Sequence, residues 1–202
     1  MSAPPQRIIL ASGSTARQHL LRQAGVDFTV EIASVDEDAA KQAGRAEGSQ
    51  AGEVALLLAG MKARRVSARH PDAWVVGADQ MLVCGDRWFD KPPDLAAARA
   101  QLLALRGQTH HLPTALVCFR AGTRVWHHLA EPKLTMRHFS DAFLDRYIAE
   151  EGEAVLGSVG AYRIEALGMQ LFAAIEGSTD AICGLPLLPL LGYLRDAGAI
   201  AA

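Results

Sequence analysis

A short apolar run, Ile8-Ile9-Leu10, breaks into the small-residue turn Ala11-Ser12-Gly13-Ser14 and then into a helical stripe marked by Leu20-Leu21, and no other stretch restricts the fold as much. Consecutive apolar residues bounded by a turn read as a buried strand, and Ser12 and Ser14 are good N-cap residues for the helix that follows. A strand that feeds a helix through a tight turn is the opening unit of an α/β fold. The same join suits an anion: the free N–H groups of the helix start, its positive dipole end and Arg17 one turn in converge on one spot. Many such units carry Ser and Gly for turn geometry alone, so the motif by itself does not choose.

The alternation continues. Strand-like segments near residues 7–11, 27–33 and 74–83 alternate with helix-like segments near 15–25 and 50–70, the latter with Val54, Leu57, Leu58 and Met61 on one face. A helix near 94–105 spaces Leu95, Ala98, Leu102 and Leu105 between an Asp94 cap and a Gly107 stop. Residues 109–120 and 124–138 are extended and joined by Ala121-Gly122-Thr123, which is hairpin chemistry. A capped helix at 140–150 turns Phe143, Leu144, Tyr147 and Ile148 inward, and a strand near 171–176 precedes a helix near 186–197. The order predicts one α/β domain over residues 1–202: a two-lobed fold around an extended mixed β-sheet, with flanking helices and a central cleft. The Asp79 and Arg17 turns are expected on one side of that cleft and the Glu165 loop on the other.

Half of the 202 residues are hydrophobic, enough for one good core or two small lobes. A net charge of −2 gives no field that seeks a polyanion, which argues against nucleic acid as a partner but leaves room for a local basic pocket. Cys84, Cys118 and Cys183 form no CxxC and sit in apolar surroundings, so they read as small buried hydrophobes of a reducing compartment, with no zinc site. Residues 1–7 contain prolines but no apolar signal core, and no run reaches the roughly 18 apolar residues of a membrane span. A cytoplasmic protein with no membrane partner is expected. The stretch Leu185-Pro186-Leu187-Leu188-Pro189-Leu190-Leu191 is proline-broken and fits a buried helix start.

Asp79 is the strongest chemical candidate, because it interrupts the apolar run from Trp74 to Val83 and a buried carboxylate needs a partner. A cap or turn role is the alternative. Glu37, within Ser34-Val35-Asp36-Glu37-Asp38, reads as part of a solvated loop, and Lys62 as a solvated helix residue. Lys91 precedes Pro92-Pro93 in a loop just downstream of the Asp79 strand. His110-His111 and His127-His128 are adjacent strand residues whose side chains point to opposite faces, so neither pair shares an ion easily. The absence of GxxxxGK[ST] and of GxGxxG after a strand excludes a P-loop kinase and a dinucleotide oxidoreductase.

The LASGSTARQHLL stretch, Asp36-Glu37, Lys62 within LLLAGMKA, Gly77-Ala78-Asp79-Gln80, Lys91-Pro92, Gly107-Gln108-Thr109-His110, Gly160-Ala161-Tyr162 and Gly184-Leu185-Pro186 follow the order of the Maf family of nucleoside triphosphate pyrophosphatases, which the chain resembles from about residue 8 to residue 193. The resemblance implies a Maf and ITPase-like fold. It also implies a house-cleaning hydrolase of acid anhydrides, cutting a nucleoside triphosphate into monophosphate and pyrophosphate. It implies Asp79 as proton acceptor, phosphate contacts from Ser12, Ser14, Arg17, Lys62 and Lys91, and a divalent metal cation, Mg or Mn, on Glu37 and Asp79. Arg17, Lys62 and Lys91 then face the roughly four negative charges of a triphosphate, and the cation closes the balance. Base preference falls to Ala16, Gln80 and Glu165. Gln80 and Glu165 resemble the branch that handles 7-methyl-GTP, and a carboxylate can accept from N1–H and the N2 amino group of guanine. Ala16, however, is small where that branch tends to have a large aromatic, and Thr15 replaces the usual Pro, so 7-methyl-GTP, another modified triphosphate and dTTP or UTP all stay open. Some members are named for septum inhibition, so a nucleotide-binding regulator of cell division with little turnover is the alternative; the full acid and base set favours the enzyme. The assembly stays open, a homodimer included.

Overall fold

Ordered largely as the alternating periods predict, the chain forms β1 (Ile8–Leu10), α1 (Thr15–Gln23), β2 (Thr29–Val30), α2 (Glu37–Glu47), α3 (Ala51–Ser67), β3 (Trp74–Gln80), β4 (Leu82–Cys84), β5 (Arg87–Phe89) and α4 (Leu95–Leu105). Then come β6 (Thr109–His111), β7 (Thr114–Arg120), β8 (Thr123–Ala130), β9 (Lys133–Met136), α5 (Asp141–Glu151), β10 (Phe172–Glu176), α6 (Thr179–Ile182) and α7 (Leu187–Asp196). This computed structural model describes residues 6–201. Residues 1–5, most of the segment read as lacking a signal core, lie outside the described residues, as does residue 202.

The first sheet has the order β2-β1-β3-β7-β8, with β1 parallel to β2 and β3 and the β3-β7 and β7-β8 pairs antiparallel. Successive side chains leave a strand on opposite faces, and here both faces are covered. Ile9, Val75, Ala115 and Val117 pack with Val54, Ala55, Leu58 and Ala59 of α3. Ile8, Leu10, Trp74, Val76, Leu116 and Cys118 pack with Leu21 of α1 and with Leu190 and Leu194 of α7. Each fully buried Leu or Ile contributes about 1.5–3 kcal/mol. The second sheet, β10-β9-β6-β4-β5, is antiparallel throughout, and its Leu82, Leu134 and Met136 share a core with Leu102 and Leu105 of α4 and Leu144 and Tyr147 of α5.

The extended mixed sheet is thus divided into two. The segments expected as continuous strands break at Met81, at Leu112-Pro113 and at Glu131-Pro132, and pass there between the first sheet and the second. Pro113 and Pro132 have no N–H to give a ladder. Their carbonyls accept from Met81 N at 3.0 Å and Leu112 N at 2.9 Å, which stitches the sheets across the break.

Other expectations shift locally. The hairpin loop is the pair Ala121-Gly122, with φ of 49° and 75° and Arg120 opposite Thr123, and two such left-handed residues make a type I′ turn. The strand expected over 27–33 is reduced to Thr29–Val30. The polar segment expected as a solvated loop instead starts α2, where Asp36 accepts from Ala39 N at 2.9 Å and Glu37 is the first helical residue. Leu57 is exposed, because the buried stripe of α3 runs through Val54, Ala55, Leu58, Ala59 and Ala63. Of the cysteines only Cys118 is buried; Cys84 and Cys183 are half-buried. Among the described residues no helix is long and apolar enough to cross a membrane.

Candidate active site

Gly77 lets α3 lie directly on β3. A Cβ there would collide with the Ala59 carbonyl oxygen, a contact only a residue without a side chain avoids. Asp79 follows two residues later on the same strand face, and Lys62 stands one helical turn beyond Ala59. Lys62 Nζ therefore reaches Asp79 Oδ1 at 2.5 Å and Glu37 Oε1 at 2.8 Å. Asp79 is 6% exposed, and a carboxylate so placed requires such a partner. Burial acts to raise the Glu37 carboxyl, but the hydrogen bond from Lys62 and the charges of Lys62, Lys41 and Lys91 outweigh it and hold the group below its ordinary range.

The turn after β1 joins the same site. Ser14 Oγ caps α1 by accepting from Arg17 N at 3.4 Å, and Ser12 Oγ accepts from Ser14 N at 3.3 Å and from Arg17 Nη1 at 3.0 Å. Arg17 Nη1 also donates to the Ala78 carbonyl and Nε to the Gly184 carbonyl, both at 2.9 Å. The guanidinium is thereby strapped between β3 and the segment after α6. Burial lowers its pKa against the opposing charges of Asp79 and Glu37, and an arginine stays protonated even so. Lys91 is exposed in the loop after β5, and its charge acts on Glu37.

The residues expected to choose the base are less alike. Gln80 points its amide inward: Nε2 donates to Thr114 Oγ1 at 2.8 Å and to the Ala181 and Ile182 carbonyls at 3.1 and 3.0 Å, closing the end of α6. Glu165 is exposed, with Oε1 3.3 Å from Arg163 Nε. Burial first, then the charges of Glu165 and Asp180, push the Cys183 thiol up to about 11. Ala16 is half-buried in the first turn of α1.

Sequence reasoning missed Lys41 and Asp90, whose Nζ and Oδ1 meet at 2.6 Å. The available signal was the four-residue spacing of Glu37 and Lys41, which puts both on one face once the segment is seen as a helix. Among the described residues no group of three or more His, Cys, Asp or Glu is placed to hold a metal. Glu37 and Asp79 instead converge on one cation, the Lys62 ammonium. Two carboxylates completed by phosphate oxygens and water are a usual donor set for Mg²⁺, so these residues fit a cation that arrives with the substrate.

A family model described as Maf-like protein matches residues 7–197. A protein named nucleoside triphosphate pyrophosphatase from Granulibacter bethesdensis is 56% identical over 96% of this chain and 98% of its own length. Another of that name, from Paramagnetospirillum magneticum, is 57% identical over 95% of this chain and 99% of its own. A protein named 7-methyl-GTP pyrophosphatase from Rhizobium johnstonii is 46% identical over 96% of this chain and 98% of its own. With both sheets, their connecting strands and every residue of the site inside the matched span, the chain belongs to the Maf-like protein family.

Proposed function

We infer that the protein hydrolyses a nucleoside triphosphate to the monophosphate and pyrophosphate, a house-cleaning reaction, at the site built on Asp79. The observation that carries this is the Asp79 carboxylate itself, set in an apolar strand, 6% exposed and bound through Oδ1 to Lys62. With Oδ1 engaged, Oδ2 takes the proton of the attacking water. Ser12, Ser14, the N–H groups opening α1 and Arg17 receive phosphate oxygens, while Lys62 and Lys91 stabilise charge that grows as the oxygen between the α- and β-phosphates departs. Glu37 and Asp79 would hold Mg²⁺ or Mn²⁺, which when bound neutralises phosphate charge and polarises the reacting phosphoryl group. The names of the full-length relatives support this reading.

For the base we propose a guanine type, 7-methyl-GTP first. Glu165 supports it as an exposed carboxylate able to accept from two donors on one base edge, as do the relatives named for 7-methyl-GTP. Ala16 adds no stacking surface, so in this reading Glu165 does the reading of the base and Gln80 fixes the end of α6. The test is a panel of common and methylated triphosphates with magnesium, scored separately for pyrophosphate and orthophosphate. Pyrophosphate is expected. Orthophosphate and diphosphate as primary products would overturn the cleavage position, and tight nucleotide binding with no metal-dependent turnover of any member would favour the cell-division regulator.

A further inference from the structure

Helix α2 brings Glu37 into the site on a narrow apolar seat, with Gly44 buried against Val54 and half-buried Ala40 packed on the α3 core. Polar contacts at four-residue spacing add to that seat. Glu37 meets Lys62 of α3 at 2.8 Å, Lys41 meets Asp90 at 2.6 Å, and the Arg45 guanidinium lies 4.9 Å from the centre of the Trp88 ring. Asp90 directly precedes Lys91, and its carbonyl accepts from Gln101 Nε2 of α4 at 2.8 Å. The Lys41 side chain is 17% exposed and also lies in the field of Asp79 and Glu37. The Lys41 contact is thus the join between the helix that carries Glu37 and the loop that carries Lys91.

We propose that the Lys41–Asp90 ion pair is a positioning bridge that sets Glu37 and Lys91 at their working separation around the triphosphate. The proposal rests on the pyrophosphatase reading. Charge separates a bridge from a phosphate ligand. Arg17, Lys62 and Lys91 outnumber Glu37 and Asp79 and so leave the site positive, whereas Lys41 is already compensated by a carboxylate at 2.6 Å and adds no net attraction for a polyanion. Asp90 is 53% exposed, so the pair contributes little to stability. Its effect is geometric, and a displacement of about 1 Å in a working group costs up to about a hundredfold in rate.

Lys41→Met and Asp90→Asn test the bridge. Each is expected to lower kcat/KM for pyrophosphate release by roughly tenfold to a hundredfold, with Tm moved by no more than about 4 °C. The double variant should cost no more than either single one, because one contact is broken once, and Lys41→Asp combined with Asp90→Lys should return to within about threefold of wild type. Lys41→Arg and Asp90→Glu keep the pair and should retain most activity, which preserves the test if the exchanged pair fails to fold. A direct phosphate role for Lys41 would leave Asp90→Asn near wild type and the exchanged pair as poor as Lys41→Met, and that result overturns the bridge. So would an active wild type with both single variants unaffected. Absence of pyrophosphate release by the wild type itself would instead refute the functional reading, and the bridge would then be judged by whether the same variants lose, and the exchanged pair regains, affinity for an α,β-methylene triphosphate.

Discussion

Lys62→Met and Asp79→Asn take one 2.5 Å contact apart from its two ends, and they should divide their cost between stability and activity in opposite ways. Lys62→Met leaves the Asp79 side chain, 8% exposed, without the ammonium on Oδ1. Removing one partner of a buried pair costs about 3–5 kcal/mol. The Glu37 end of the cluster is 43% exposed and adds little, and the nearby Arg17 charge softens the isolation of Asp79, so the lower end, about 3 kcal/mol, is expected. At about 2–4 °C per kcal/mol for a chain of this length, Tm should fall by about 6–12 °C. Asp79→Asn keeps the volume and leaves Lys62 paired with Glu37 at 2.8 Å, so its Tm should stay within about 4 °C of wild type. Its turnover should drop by roughly 10² to 10⁴, the range for a lost general base. Scanning calorimetry without nucleotide reads the first quantity and pyrophosphate release at saturating magnesium the second. An Asp79→Asn protein with near wild-type turnover would refute the role given to Asp79, and a Lys62→Met protein with unchanged Tm would refute the energetic account of the buried pair.

Glu165→Gln exchanges a two-oxygen acceptor for an amide, so guanine-type substrates should lose about 1–3 kcal/mol in kcat/KM while pyrimidine substrates change much less; equal losses on every base would assign Glu165 to the fold or the phosphates. His110 is fully buried, and burial, then the neighbouring His111 charge, pushes its imidazole down from 6.5 to about 4. Because the unfolded chain takes up that proton first, stability should fall by about 3 kcal/mol as pH drops from 6.5 to about 4 and change no further from this source below. His110→Gln should flatten that segment of a urea-midpoint against pH curve, and parallel curves for the two proteins would contradict the account.

What is legible in the sequence is what burial or capping makes locally periodic. The β1 turn into α1, the α3 stripe, the Asp94 cap of α4 and the Ala121-Gly122 turn all carry their cause within a few residues. Helix α2 is not legible from hydrophobicity, because the face it lays on the core is only Ala40 and Gly44, too small to mark an apolar stripe in EDAAKQAGRAE. The break between the sheets is hidden for another reason: Pro113 and Pro132 act only on the strands beside them, and pairing register is a long-range fact. At the site, Asp79 announces itself as a carboxylate in an apolar strand. Glu37 and Lys62 do not, since charges on a helix are ordinarily solvated, and only the approach of α3 at Gly77 brings Lys62 to Asp79. The inward turn of the Gln80 amide depends on carbonyls about a hundred residues away, beyond the reach of any local pattern.

The three neighbouring strand crossings have a mechanical consequence. Halves joined by a single linker swing like a door, whereas halves that share three adjacent strands, riveted by the Met81–Pro113 and Leu112–Pro132 hydrogen bonds, behave as a creased plate. Swinging one half would shear backbone hydrogen bonds across the crease all at once. Movement is thereby left to the rim, where α2 and the Lys91 loop meet through the Lys41–Asp90 pair, while the turn after β1 and the Asp79 strand are tied to adjacent strands of one sheet.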